Sequence, residues 1–146
     1  MEPRNLTLLT DLYELTMMQG YFREKDANET VIFDAFYRTN PDGNAFSICA
    51  GLEQVIDYVK NLHFDDADIE YLRGLGIFDE DFLEYLHNFK FSGNIYAIPE
   101  GTVVFPREPL VKVIAPKPKL HDSVPACGED DTGGFGRDQA LVVDDI

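Results

Sequence analysis

Between Leu52 and Phe89 three apolar stripes at helical spacing follow one another with no β-like run among them, while the β-branched and aromatic runs lie before and after that block. This segregation constrains the fold more than any other feature of the sequence. Strands separated by single helices wind a parallel sheet, whereas strands collected on either side of a helical block belong to segregated architectures. The predicted class is therefore α/β of the α+β type, with helices packed on a small mixed or antiparallel sheet.

The three stripes are Leu52, Val55, Ile56, Val59 and Leu62; Ile69, Leu72 and Leu75; and Phe82, Leu83, Leu86 and Phe89. Asp65, Asp66 and Asp68 precede the second stripe, and Asp79, Glu80 and Asp81 open the third. Carboxylates there cap free N–H groups and meet the favourable end of the helix dipole. Neither triplet has the alternating donors, central glycine and closing glutamate of a calcium loop, so helix starts are the expectation. Gly74 and Gly76 stop the second stripe. An earlier helix is predicted from near Asp11, carrying Leu8, Leu12 and Leu15 on one face and fraying around Gly20. Strands are predicted over Glu29 to Arg38 and Ala45 to Ala50, joined by the turn residues Asn40 to Asn44. Three more follow, Asn94 to Ile98, Thr102 to Phe105 and Leu110 to Ile114, with Tyr96, Val103 and Val113 expected in the core.

Pattern ends at Pro116. Residues 117–146 carry three basic and seven acidic side chains, four glycines and no apolar period, and read as a mostly unstructured tail of little consequence for stability. Only Ala140 to Val143 has the composition to add to a sheet edge. The domain division is thus 1–116 and 117–146. Over the whole chain 12 basic residues face 27 acidic ones, a net charge of −15, which disfavours unspecific binding to nucleic acid or to anionic membrane surfaces. No apolar stretch approaches membrane-span length and Met1 to Arg4 lacks a signal-peptide core, so a cytoplasmic address is expected. Cys49 and Cys127 are too few and too far apart for a disulfide framework. His63, His87 and His121 stand apart from one another, and no metal ligands are expected; His87 reads as a boundary residue beside the third stripe.

Three residues are candidates for ligand contact. Tyr13, just past the acidic helix start Asp11, is either a core tyrosine or an aromatic face turned to a ligand. Asp11 stands beside it at the helix start. Arg38, where an apolar strand enters a turn, either clamps an anion or pairs with a nearby carboxylate.

The run Asn5 to Met17 (NLTLLTDLYELTM) resembles the N-terminal signature of nicotinate phosphoribosyltransferases. Phe33 to Pro41 (FDAFYRTNP) looks like that family's aromatic-aromatic-Arg-x-x-Pro segment, and Ala50 to Val55 like its following helix start. Tyr71-Leu72 with Phe82-Leu83, then Pro99 to Pro106 (PEGTVVFP) with Glu108-Pro109-Leu110, continue the family's order of motifs. The resemblance covers about residues 5–116 and breaks off at Lys117, where the family continues into an apolar helix and a barrel; the break looks like a frameshift, a truncation or a misjoined frame.

The resemblance implies an enzyme of NAD salvage, joining nicotinate to phosphoribosyl diphosphate with ATP hydrolysis and releasing diphosphate. It implies Mg²⁺ and ATP as cofactors, a homodimer, and for Tyr13 stacking on the nicotinate ring, commonly in the partner subunit's active site. By the same resemblance Asp11 orients a basic group and Arg38 lies near the shared site. The family's phosphorylated histidine and phosphate-binding loops match nothing in this sequence, so no catalytic residue is expected within the segment. The alternatives are a non-catalytic acidic interaction or dimerisation module and a nicotinamide-using relative.

Overall fold

Period-two alternation in Thr30–Tyr37 sends Phe33, Ala35 and Tyr37 to one side and Ile32, Asp34 and Phe36 to the other. In the computed structural model, which describes residues 5–24, 29–40, 43–116 and 139–144, the first set is buried and the second half-buried. This strand, β1, pairs antiparallel with β5 (Val111–Pro116), from Thr30 opposite Pro116 to Ala35 opposite Val111. On its far side β5 takes β3 (Asn94–Ala97), with Tyr96 opposite Lys112. On the far side of β1 lies β6 (Gln139–Asp144), also antiparallel, giving the order β3-β5-β1-β6. β2 (Ser47–Ile48) and β4 (Val103–Val104) make a separate two-stranded ribbon.

The helices are α1 (Leu12–Arg23), α2 (Leu52–Asn61), α3 (Asp66–Leu75) and α4 (Glu80–His87). With antiparallel sheets and a central helical block, the α+β class holds, and the described residues form no closed barrel. Helix ends follow from local chemistry. Asp65 accepts from the N–H groups of Ala67 and Asp68, while Asp68 accepts from the N–H of Asp65, a reciprocal capping box that starts α3. These backbone N–H groups, Asp68 first, hold the Asp65 carboxyl below its usual range. Gly76, at φ +69°, ends α3 in the left-handed conformation a glycine adopts without strain; Gly74 lies within the helix.

Two cores result. Phe33, Val55, Val104, Val111 and Val113 fill the space beneath the sheet. Leu15, Met18, Leu72, Phe82 and Leu86 join α1, α3 and α4, and Phe91 packs against both groups. The Phe82 ring lies among those of Phe22, Phe78 and Tyr85, with centroids 5.7, 5.8 and 6.2 Å away.

Four expectations are corrected. Tyr96 and Val103 are 59% and 47% exposed, while Val113 is buried as expected. On β4 it is Val104 that turns inward, one residue along, which in a strand means the opposite face. Leu12 is also exposed, because α1 buries Glu14, Leu15, Met18 and Gln19 rather than the Leu8–Leu12–Leu15 line. The helix runs past Gly20 to Arg23, since Phe22 gains its contacts with Phe82 and Tyr85 by continuing. In the tail, β6 contains the run credited with edge pairing, and residues 117–138 and 145–146 lie outside the described residues.

Candidate functional site

The segment before α1 reaches the helical core through Thr7, a buried residue whose hydroxyl donates to the carbonyl of His63 at 2.8 Å. Asn5 extends the attachment, donating to Asp68 at 2.9 Å. Asp11 then sits at the N-cap of α1 with an extended backbone and no side-chain cap bond. Its carboxylate is exposed, and the first turn is instead braced by Thr10, which donates to the buried Glu14.

Glu14 and Leu15 take the inward positions, so Tyr13 is turned out. It is 53% exposed, so Tyr13 is not a core tyrosine. Leu9, Leu12 and Met17 are exposed with it, making this side of α1 apolar. Such a surface offers a flat π-face with a phenolic group at its rim.

Arg38 lies elsewhere, at the end of the sheet. It follows β1 directly, is exposed, and has no carboxylate partner among the described residues. Asp11 and Arg38 form no ion pair with each other there. The structure thus places Asp11 and Tyr13 together at one helix start and Arg38 at the end of the sheet's apolar strand.

Two structural supports escaped the sequence reading. Gln19, 7% exposed, accepts from the backbone N–H of Asp79 and donates to the carbonyl of Ile77, tying α1 to the turn between α3 and α4. Nothing in a single polar residue within a helical pattern signals such a tie. Glu100 caps α2 from a distant turn, its Oε1 accepting from the N–H groups of Gly51 at 3.1 Å and Glu53 at 3.2 Å. Here a signal existed: Gly51 stands at the N-cap with no side chain to cap with, so the acceptor had to come from elsewhere. Glu100 also lies near the buried Cys49, whose thiol is pushed above its ordinary range by burial first and by this negative charge second.

A groove of about 380 Å³ between α3 and α4 is lined by acidic side chains with Arg73 and His87. Arg73 is paired there with Glu70 and Glu80, the His87 ring is hydrogen-bonded with Asp66, and neither Asp11, Tyr13 nor Arg38 lines it. Among the described residues no three His, Cys, Asp or Glu side chains gather to hold a metal ion, and no helix is long and apolar enough to cross a membrane.

Residues 8–120 match the family model of the nicotinate phosphoribosyltransferase (NAPRTase) N-terminal domain. Nicotinate phosphoribosyltransferase pncB2 of Mycobacterium tuberculosis is 46% identical over 109 residues, which are 75% of this chain and 23% of that protein. The Bacillus subtilis nicotinate phosphoribosyltransferase is 40% identical over 112 residues, 77% of this chain and 23% of its own length. Among solved structures, human nicotinic acid phosphoribosyltransferase superposes with a TM-score of 0.70 at 33% identity, over 77% of this chain and 23% of that one. This chain therefore spans about a quarter of the length of these relatives, and it belongs to the nicotinate phosphoribosyltransferase family, whose N-terminal domain it carries.

Proposed function

We propose that this chain supplies the N-terminal part of a nicotinate phosphoribosyltransferase site, in which Tyr13 presents its ring to the nicotinate. The observation that carries the reading is the outward, half-exposed position of Tyr13 on a helix whose other face is locked into the core by Leu15, Met18 and Gln19. A fixed aromatic face lowers the entropy cost of aligning a pyridine ring for attack on the ribose carbon. Asp11, two residues back at the N-cap, orients a basic group, and Arg38 offers a cation to a carboxylate or a phosphate.

The reaction so assigned joins the nicotinate nitrogen to the ribose carbon of phosphoribosyl diphosphate and expels diphosphate, with ATP hydrolysis, in the cytoplasm as a step of NAD salvage. Mg²⁺ neutralises departing diphosphate in such chemistry. In the family reading the metal, the remaining phosphate contacts and the catalytic groups belong to the portion of a family-length enzyme beyond this segment. The family reading pairs two copies in a homodimer, with Tyr13 serving a shared site.

A second reading, an interaction module without catalysis, draws on one observation. Ile48 and Val103 pair across the β2–β4 ribbon and are both exposed, with Phe46 and Phe105 exposed at its ends. Such an uncovered apolar face suits a protein partner.

The test has two arms. The purified chain, given nicotinate, phosphoribosyl diphosphate, ATP and Mg²⁺, should form no nicotinate mononucleotide. Residues 1–116 fused to the remainder of the Bacillus subtilis relative should form it, with kcat/KM falling about tenfold or more on Tyr13→Ala, the scale of one lost aromatic stack. An active fusion indifferent to Tyr13→Ala would remove the role assigned to this residue. Turnover by the isolated chain would overturn the division of labour.

A further inference from the structure

β1 has the composition of an interior strand. Of its eight residues, Val31, Ile32, Phe33, Ala35, Phe36 and Tyr37 are apolar, Asp34 alone is charged, and no proline or lysine interrupts it. Every side chain from Val31 to Tyr37 is buried or half-buried. Natural edge strands are short, charged, bulged or covered, because an open row of N–H and C=O groups along an apolar strand templates pairing with another chain.

The family match ends at residue 120, so β3, β5 and β1 lie within it and β6 lies beyond. Without β6 the order β3-β5-β1 would leave β1 at the edge, long, apolar and unprotected. β6 closes that edge over six consecutive residues, from Ile32 opposite Asp144 to Tyr37 opposite Gln139. Ladder bonds are made by backbone groups, so a strand of unrelated sequence can occupy such an edge if it is extended and carries no proline at a bonded position. Residues 139–144 (QALVVD) meet both conditions.

The covalent path also permits it. β5 ends opposite Thr30 and β6 begins opposite Tyr37, at the other end of β1, with the 22 residues 117–138 between them. The two points lie roughly 26 Å apart on strand geometry. A chain of that length can reach about 70 Å.

We infer that the outer edge of β1 is a strand-acceptor site, a binding surface for one extended antiparallel segment, which this chain fills with its own residues Gln139–Asp144. The platform β3-β5-β1 exists independently of its occupant and accepts the same segment when it is offered as a separate peptide. The inference stands apart from the reading of Tyr13.

The full-length double variant Leu141→Pro/Val142→Pro tests it. Alternate residues of β6 direct their N–H groups toward β1, so consecutive prolines remove one such donor whichever the phase. Amide hydrogen exchange along Thr30–Tyr37 should then accelerate about tenfold or more at the alternate positions facing β6, with the positions facing β5 still protected. A blocked peptide of residues 138–145 should bind the variant and restore that protection, bind the unmodified chain at least about tenfold more weakly by competition, and fail to bind once it carries the same two prolines. Equal exchange in the unmodified and variant chains would overturn the inference, since β6 would then not be docked in solution. Loss of the β5-facing protection would also overturn it, because the platform would not exist without its occupant. Equal binding of the proline-containing peptide, or self-association of the variant that the peptide does not reverse, would assign the edge to something other than this segment.

Discussion

The side-chain oxygen of Gln19 accepts the backbone N–H of Asp79 at 2.7 Å, and its amide nitrogen donates to the Ile77 carbonyl at 3.2 Å. Both bonds come from one nearly buried group and span the junction between α1 and the helical cluster. Gln19→Leu keeps the bulk and leaves a backbone N–H and a carbonyl without partners, which costs about 1–3 kcal/mol. Chemical denaturation should show that loss as a lower midpoint with an unchanged slope.

Glu100 stands in for the side chain that Gly51 lacks, accepting from two N–H groups at the start of α2. Glu100→Ala should destabilise the chain by about 1 kcal/mol, the usual worth of an N-cap, and Glu100→Gln by less because one acceptor oxygen remains. Gly51 itself, at φ +100°, occupies a conformation that a side chain would strain. A thermal melt comparing the two Glu100 variants separates the loss of the acceptor from the loss of its charge.

Burial holds the Cys49 thiol above its ordinary range, with the Glu100 carboxylate adding to the shift. In the unfolded chain the same thiol ionises in the ordinary thiol range, about 8.5. Below that pH both states keep the proton and the group contributes no pH dependence. As pH rises above it the unfolded state releases its proton first, so stability falls with pH on the alkaline side. In a Cys127→Ser chain, a thiol reagent at about pH 8 should modify Cys49 slowly in the native state and rapidly in denaturant, following the thiolate that performs the attack. Rapid native modification would show that the region around Cys49 opens.

At Gly93 a Cβ would lie 2.7 Å from both the Ala115 side chain and the Ile114 carbonyl oxygen, and 2.8 Å from the Phe91 ring. Two of these neighbours belong to a central strand and cannot withdraw. Gly93→Ala should therefore cost about 1–3 kcal/mol through displacement of β5. Gly20→Ala, where a Cβ meets nothing within 4 Å inside a helix, should be neutral or stabilising in the same denaturation assay.

The helical block was legible because its signals are local. Asp65 and Asp68 announce the start of α3, Gly76 its end, and the stripes through Val55, Ile69 and Phe82 mark the buried faces. What the sequence could not fix was phase and pairing. β3 and β4 are short and sit at edges, so apolar residues fall on both faces and Tyr96 or Val103 carries no mark of facing outward. α1 is apolar on two sides, and only the packed structure reveals that the Leu15–Met18 side is covered while Leu9, Leu12 and Tyr13 are not. Arg38 was found as a cation at the end of a strand; that this strand packs into the sheet core rather than against the α1 cluster is a tertiary fact with no local trace.

Tyr13 and Phe82 occupy opposite environments, one half-exposed and one buried. Phe82 is fully buried among three other rings, and Phe82→Ala should cost about 3–5 kcal/mol, the range for emptying an aromatic core position. Tyr13 is half-exposed on the opposite side of α1 from Leu15 and Met18, and Tyr13→Ala should change stability by less than about 1 kcal/mol. Paired denaturation curves therefore carry a functional meaning. A Tyr13→Ala chain as stable as the parent leaves any loss of activity in the fusion enzyme attributable to the ring's contact with substrate. A drop comparable to that of Phe82→Ala would make Tyr13 a packing residue and withdraw it from the site.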